Sequence, residues 1–141
     1  MRPHAAELTA REVMTTDIVR LDAERSLWEA LVLMADRQVH HLVVTSGERL
    51  VGVVNEFHLL DVWTPQTWDP MSLPVRSLLG DLTAAALPEC GLSQIAAIMR
   101  DRQVDSVAIV DRAGHILGIV TARDVVRAVA ERGIPGDVPA P

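Results

Sequence analysis

The spacing of apolar and polar positions changes several times along the chain, and each change marks an element. Residues 18–21 form a short β-rich run. Ser26 then precedes a stretch in which Leu27, Ala30, Leu31, Met34 and Ala35 recur at helical spacing, which predicts a helix capped by Ser26 and ending near Gln38. Leu42-Val43-Val44-Thr45 and Leu50-Val51-Gly52-Val53-Val54 are β-branched runs on either side of the polar turn Ser46-Gly47-Glu48-Arg49, a hairpin signature. A second helix is predicted over 56–63. The same order then returns: a helix over 91–102, strands over 106–110 and 116–120 around Arg112-Ala113-Gly114, and a helix over 122–132. Residues 64–74, with Pro65, Pro70 and Pro74, read as a linker, and 1–6 and 133–141 read as frayed ends.

The return of the pattern is a true repeat. Asp36-Arg37-Gln38-Val39 recurs as Asp101-Arg102-Gln103-Val104, Leu27 and Met34 fall on Leu92 and Met99, and Gly52-Val53-Val54 falls on Gly118-Ile119-Val120 after one extra residue. Self-similarity of this kind predicts two related units, 8–63 and 75–132, each β-α-β-β-α, in a mixed α/β (α+β) fold. One unit alone has a three-stranded sheet and little mass to bury its face with. Two units packed about a pseudo-twofold axis cover that face, and they leave a cleft where strand ends and helix N-termini converge.

Composition narrows what such a cleft can hold. The 141 residues are 49% hydrophobic and 23% charged, as in an ordinary globular protein, and too few for an enzyme core plus a regulator. Aromatic residues make up only 3%, with no Tyr, so a ligand must be held by aliphatic walls rather than by stacking platforms. The net charge of −6 is spread along the chain; it offers no basic stripe for a nucleic acid. The apolar run 27–35 carries Glu29 and falls well short of the roughly 20 residues that span a bilayer, so no membrane segment is expected. Cys90 has no second cysteine to pair with and no secretory leader opens the chain, which points to the cytoplasm. No Gly-x-Ser-x-Gly, P-loop or His-Glu-x-x-His occurs; no catalytic residue is assigned and an enzyme is not expected.

Taken in order, Val13-Met14, Ser26-Leu27, Val39-His40-His41-Leu42-Val43-Val44 and Gly118-Ile119-Val120-Thr121-Ala122-Arg123-Asp124 resemble the cystathionine-β-synthase (CBS) domain, twice over residues 12–131. The resemblance implies a tandem CBS pair, or Bateman module: a regulatory unit that often binds AMP, ADP, ATP or S-adenosylmethionine and associates into disc-like homodimers. Many such pairs are fused to an enzyme, channel or transporter. This chain would stand alone and signal to a separate, unknown partner protein.

The most informative motif, Thr121-Ala122-Arg123-Asp124, follows an apolar strand and opens a helix, where free N–H groups and the helix dipole welcome an anion. Asp124 offers two acceptor oxygens to ribose hydroxyls, and the Thr121 hydroxyl and Arg123 guanidinium can donate to phosphate. Thr-x-x-Asp at a helix start is equally a capping box that binds nothing; the residues alone favour the cap, and the resemblance adds weight to the ligand. It also implies that the adenine pocket draws on the other repeat through Thr16, Ile18, Val39, His40 and His41. Ile18, Val39 and Ile119 would form aliphatic walls, and His40 would donate to phosphate or base. In the symmetric position Asn55-Glu56-Phe57-His58 replaces Thr-x-x-Asp, and Asp105 stands where the first repeat has His40. One cleft is therefore expected to be competent, and the other weak, empty or selective for a different ligand.

Other features have plainer readings. His40 and His41, adjacent on a strand, should point to opposite faces and not share a metal; a site across a dimer using His58 or His115 shows no ligand spacing, so no metal is assigned. Cys90 precedes a predicted helix start, where the dipole would lower its pKa, or it is an ordinary loop residue. Met34 and Met99 fit core packing. Trp28, Trp63 and Trp68 cluster in the first half and the linker, with Trp28 beside the core stripe as either an interface or a structural residue. Two functions remain: an adenine-nucleotide sensor, or a ligand-free dimerisation and interaction scaffold.

Overall fold

A computed structural model describes residues 7–61, 69, 71–79 and 83–132. Trp63, Trp68, Pro65, Pro70 and the two chain ends lie outside them. The first repeat runs β1 (Arg20–Asp22), α2 (Leu27–Arg37), β2 (His41–Ser46), β3 (Arg49–Asn55) and α3 (Glu56–Asp61), preceded by the short helix α1 (Ala10–Val13). The second runs β4 (Ala85–Ala86), α4 (Leu92–Arg102), β5 (Ser106–Val110), β6 (Ile116–Thr121) and α5 (Ala122–Arg132), preceded by a 3-10 turn, Val75–Leu78. Each repeat forms its own sheet, in the orders β1-β2-β3 and β4-β5-β6. The first pairing is parallel and the second antiparallel in both. The predicted β-α-β-β-α plan is the observed one, with β1 displaced toward the C-terminus from 18–21.

Local chemistry explains the boundaries. The Ser26 side chain accepts from Glu29 N–H at 3.1 Å and starts α2. α2 and α4 both stop at a glutamine in the left-handed region, Gln38 at φ 54° and Gln103 at φ 56°, a conformation that ends a helix by turning the chain away. At the start of α4 the residue equivalent to Ser26 is Gly91, which has no side chain to offer. The Glu7 carboxylate takes over, accepting from Ser93 N–H at 2.6 Å. A Cβ at Gly91 would come within 2.5 Å of Glu7 Oε2.

The two β-runs of each hairpin are buried almost throughout because each sheet is covered twice. On one face Leu42, Val44 and Val54 pack with Leu27, Ala30 and Met34 of α2 and with Leu59 of α3, and Val107, Ile109 and Val120 pack with Ile95 and Met99 of α4. Between the two sheets lies a third cluster of Val43, Val53, Ala108, Ile116 and Ile119. Met34 and Met99 are core residues, as their spacing predicts.

The flanking segments are exchanged. Ala10 is fully buried in the second repeat's core, Thr9 bridges to Gly91 and Thr15 to Ile119. In the equivalent place, Val75 and Leu79 pack into the first repeat's core and Pro74 bridges to Ser26. The part of the Pro-rich stretch that is described is thus seated against the first repeat, with Leu27 N–H donating to Leu73 O at 2.9 Å.

Candidate functional site

The exchange of segments brings residues 15–19, the start of β2, the end of β6 and the start of α5 to one place. They enclose a cleft of about 220 Å³ lined by both repeats. Ile18, Val39, His40, His41, Ile119, Thr121, Arg123 and Asp124, all singled out in the sequence, line it together. Thr16 does not. Thr15 is pinned by two backbone hydrogen bonds to Ile119, at 2.9 and 3.0 Å. Thr15 and the consecutive residues Asp17, Ile18 and Val19 line the cleft, while the backbone turns at Thr16, whose carbonyl accepts from Ile18 N–H at 3.0 Å. Val43 and Arg127 complete the lining. Val43 was legible as the residue two beyond His41 on a strand, and Arg127 as one helical turn beyond Asp124.

The polar floor is a complete capping box. Thr121 N–H and the Thr121 hydroxyl donate to Asp124 Oδ2 at 2.9 and 3.1 Å, and Asp124 N–H donates to Thr121 Oγ1 at 3.2 Å. Asp124 is 5% exposed, and its other oxygen accepts from Arg127 Nη1 at 3.4 Å. Arg123, on the same first turn, adds a guanidinium to the lining.

The equivalent box in the first repeat is built from other residues. Asn55 Oδ1 accepts from His58 N–H at 2.8 Å, and Asn55 N–H donates to His58 Nδ1 at 3.2 Å. His58 therefore occupies the acid's place as a hydrogen-bond acceptor, which requires Nδ1 to be unprotonated. Its imidazole supplies one acceptor where Asp124 supplies two oxygens. Asp105 Oδ2 accepts from Asn55 Nδ2 at 3.1 Å and lies 3.2 Å from His41 Nε2. The His41 hydrogen bond, above all, holds the Asp105 carboxyl below the usual carboxylate range; partial burial opposes this, and the His41 charge, Asn55 and His58 reinforce it.

Two expectations need correction. His40 and His41 line the same cleft because β2 begins at His41 and His40 lies in the turn before it, so strand alternation does not separate them. They have separate partners, with His40 Nδ1 3.0 Å from Glu56 Oε1, and among the described residues no group of three or more His, Cys, Asp or Glu is arranged for a metal ion. Cys90 does sit before α4, but burial pushes its thiol up and the charge of Glu7 pushes it further the same way.

Two segments of the chain, 10–64 and 84–131, match the CBS domain model. The chain belongs to the CBS domain family. Among curated relatives, inosine-5'-monophosphate dehydrogenase of Korarchaeum cryptofilum is 28% identical over 116 residues, covering 82% of this chain and 23% of that enzyme; the chain spans about a quarter of its relative's length. The CBS domain pair of protein MJ0100, solved with 5'-methylthioadenosine and S-adenosyl-L-methionine, superposes at TM-score 0.78 with 16% identity, over 90% of this chain and 99% of that one. The CBS domain of a bacterial CNNM/CorC family Mg2+ transporter, solved with ATP, gives TM-score 0.76 and 24% identity, over 87% of each chain. As a tandem CBS pair the protein is a regulatory module, and no helix among the described residues is long and apolar enough to cross a membrane.

Proposed function

We propose that this CBS pair senses an adenine nucleotide (AMP, ADP or ATP) or S-adenosylmethionine in the cleft above α5, and signals occupancy to a separate protein in the cytoplasm. The observation that carries this reading is the convergence, in one cleft, of aliphatic walls and a phosphate- and ribose-competent floor contributed by both repeats. Ile18, Val39 and Ile119 suit the faces of a base in a chain almost without aromatic side chains. Asp124 suits the ribose hydroxyls, and Thr121, Arg123, His40 and His41 the phosphate. At about 220 Å³ the cleft lies below the roughly 300–1,000 Å³ of drug-sized sites, which fits a nucleoside body with further phosphates outside it. The MJ0100 pair with its S-adenosyl ligand and the transporter domain with ATP support the ligand class.

A ligand bridging both repeats stabilises the folded state by mass action. Thermal-shift measurement with AMP, ATP and S-adenosylmethionine is expected to raise the melting temperature with at least one of them. Flat profiles with all three would leave the second reading, a ligand-free dimerisation scaffold. That reading is favoured by the fact that both Asp124 oxygens already have partners, and by the apolar side chains exposed on three helices, Trp28 and Val32 on α2, Phe57 and Leu60 on α3, and Val126 on α5. The same side chains suit a homodimer in either reading.

A further inference from the structure

His41 belongs to two places at once. It lines the cleft, its side chain is only 18% exposed, and its Nε2 lies 3.2 Å from Asp105 Oδ2, a carboxylate contributed by the other repeat. Asp105 is kept in position by Asn55 Nδ2, and its carboxyl is held below the usual carboxylate range by the His41 hydrogen bond above all, with Asn55 adding to it. A counterion is therefore already in place behind the ring.

The charges that face the ring decide what this does. The cleft lining contains two carboxylates, Asp17 and Asp124, and two guanidiniums, Arg123 and Arg127, and Arg127 is tied to Asp124. Behind the ring stand Asp105 and, close to it, His58; beside it His40 is paired with Glu56. With neutral histidines the fixed charges of the lining cancel, so a phosphate meets local donors such as Arg123 and the Thr121 hydroxyl but no net positive charge. With Nε2 committed to Asp105, a proton on Nδ1 turns the remaining ring nitrogen from an acceptor into a donor and adds one positive charge. His40 is a weaker candidate, since its side chain is 62% exposed against 18% for His41, while the two carboxylates, Glu56 and Asp105, are alike at 40% and 43%; water screens His40 the more.

From this geometry we infer that an anionic ligand enters the cleft together with a proton, which is taken up by His41 against the Asp105 carboxylate. The inference rests on the nucleotide reading of the cleft and adds a pH dependence to it. The module reads nucleotide and proton jointly, and a drop in pH acts as a co-signal that tightens binding.

AMP is the probe. Its affinity is measured by calorimetry from about pH 8 to about pH 6, in buffers of differing ionisation enthalpy so that bound protons are counted, for the wild type, His41→Gln, His40→Gln and Asp105→Asn. One linked proton changes the binding constant by at most tenfold per pH unit. The ionisation of AMP itself is common to all four proteins and cancels in the comparison. The wild type and His40→Gln are expected to take up a fraction of a proton that His41→Gln lacks, and to tighten with falling pH more steeply than His41→Gln. Asp105→Asn should lose most of the linkage. If AMP binds with the same proton uptake and slope in wild type and His41→Gln, or if the linkage disappears only in His40→Gln, the inference is overturned and the nucleotide reading stands. If AMP binds at no pH, the nucleotide reading falls and takes the linkage with it.

Discussion

On Asp124 the capping and binding roles coincide, and substitutions can pull them apart. Asp124→Ala removes the one carboxylate oxygen to which Thr121 N–H and the Thr121 hydroxyl both donate, so it should cost about 1 kcal/mol of stability as a lost helix-start contact and weaken nucleotide binding by tenfold or more, the equivalent of one charge-assisted hydrogen bond of about 1.5–3 kcal/mol. Asp124→Asn keeps an acceptor for Thr121 N–H; denaturation and calorimetry together should find most of the stability restored and most of the affinity still missing. Unchanged affinity in both variants would remove Asp124 from the site. Asp105 is expected to reveal itself in acid. Its folded-state carboxyl is held low, so its contribution to stability is present above the ordinary value of about 3.9 and fades as pH falls through the lower folded-state value. Urea midpoints of the wild type should therefore drop more than those of Asp105→Asn as pH is lowered below about 4. At this scale the sequence carried the residue types better than their directions. Asp124, Ile119 and Val39 were legible because motif and spacing fix their position relative to the cleft. Thr16 stays out of the lining because the chain turns there, with Thr16 O accepting from Ile18 N–H, next to the Thr15–Ile119 bridge, a backbone pairing with a residue about a hundred positions away; nothing in residues 15–18 announces either. The shift at Cys90 was misread because burial, its main cause, and the charge of Glu7, which adds to it, both come from contacts remote in sequence.

Helix starts show how far an element can be read on its own. Ser26 announces α2, and the structure uses it as the cap, with the Glu29 side chain closing the box back onto Ser26. Asn55-x-x-His58 makes the same closure with an unusual acceptor, invisible to a pattern that looks for acids. α4 has no side chain of its own at Gly91, and its cap arrives through Glu7, which no local reading supplies. The arrangement implies that the two caps are interchangeable. Glu7→Ala should destabilise the protein by about 1 kcal/mol, the ordinary worth of a cap. Gly91→Ser should be close to neutral, because the atom its Cβ displaces is the far end of the flexible Glu7 side chain and the new hydroxyl can take the role Ser26 has in α2. In the Gly91→Ser background Glu7→Ala should then cost much less. A double-mutant cycle by thermal denaturation measures the difference, and additive effects would mean that Glu7 acts other than as the cap.

Across the whole molecule, the repeat made the fold legible and hid the exchange. Two copies of one pattern predicted two related sheets packed together, and both sheets and the apolar cluster between them are there. The seating of Ala10 in the second core and of Val75 and Leu79 in the first has no signature in the repeat, since apolar residues in a short segment do not state which core they join. The exchange has a thermodynamic consequence. Each repeat's core is completed by a segment that adjoins the other repeat, and Val43 and Val53 of one sheet are buried in a cluster shared with Ala108, Ile116 and Ile119 of the other. Neither half can lose its structure without exposing apolar surface on its neighbour, so the pair should unfold as one cooperative unit. Tryptophan fluorescence reports on the N-terminal part of the chain, where all three tryptophans lie, while far-UV circular dichroism reports on both repeats. In urea the two probes should give one coincident transition. Val53→Ala, which removes side-chain volume from the cluster between the sheets, should lower stability by about 1–3 kcal/mol and move both transitions together. Separate midpoints, or a shift confined to fluorescence, would mean that the halves are held by their own cores and that the cleft between them can open without unfolding either one.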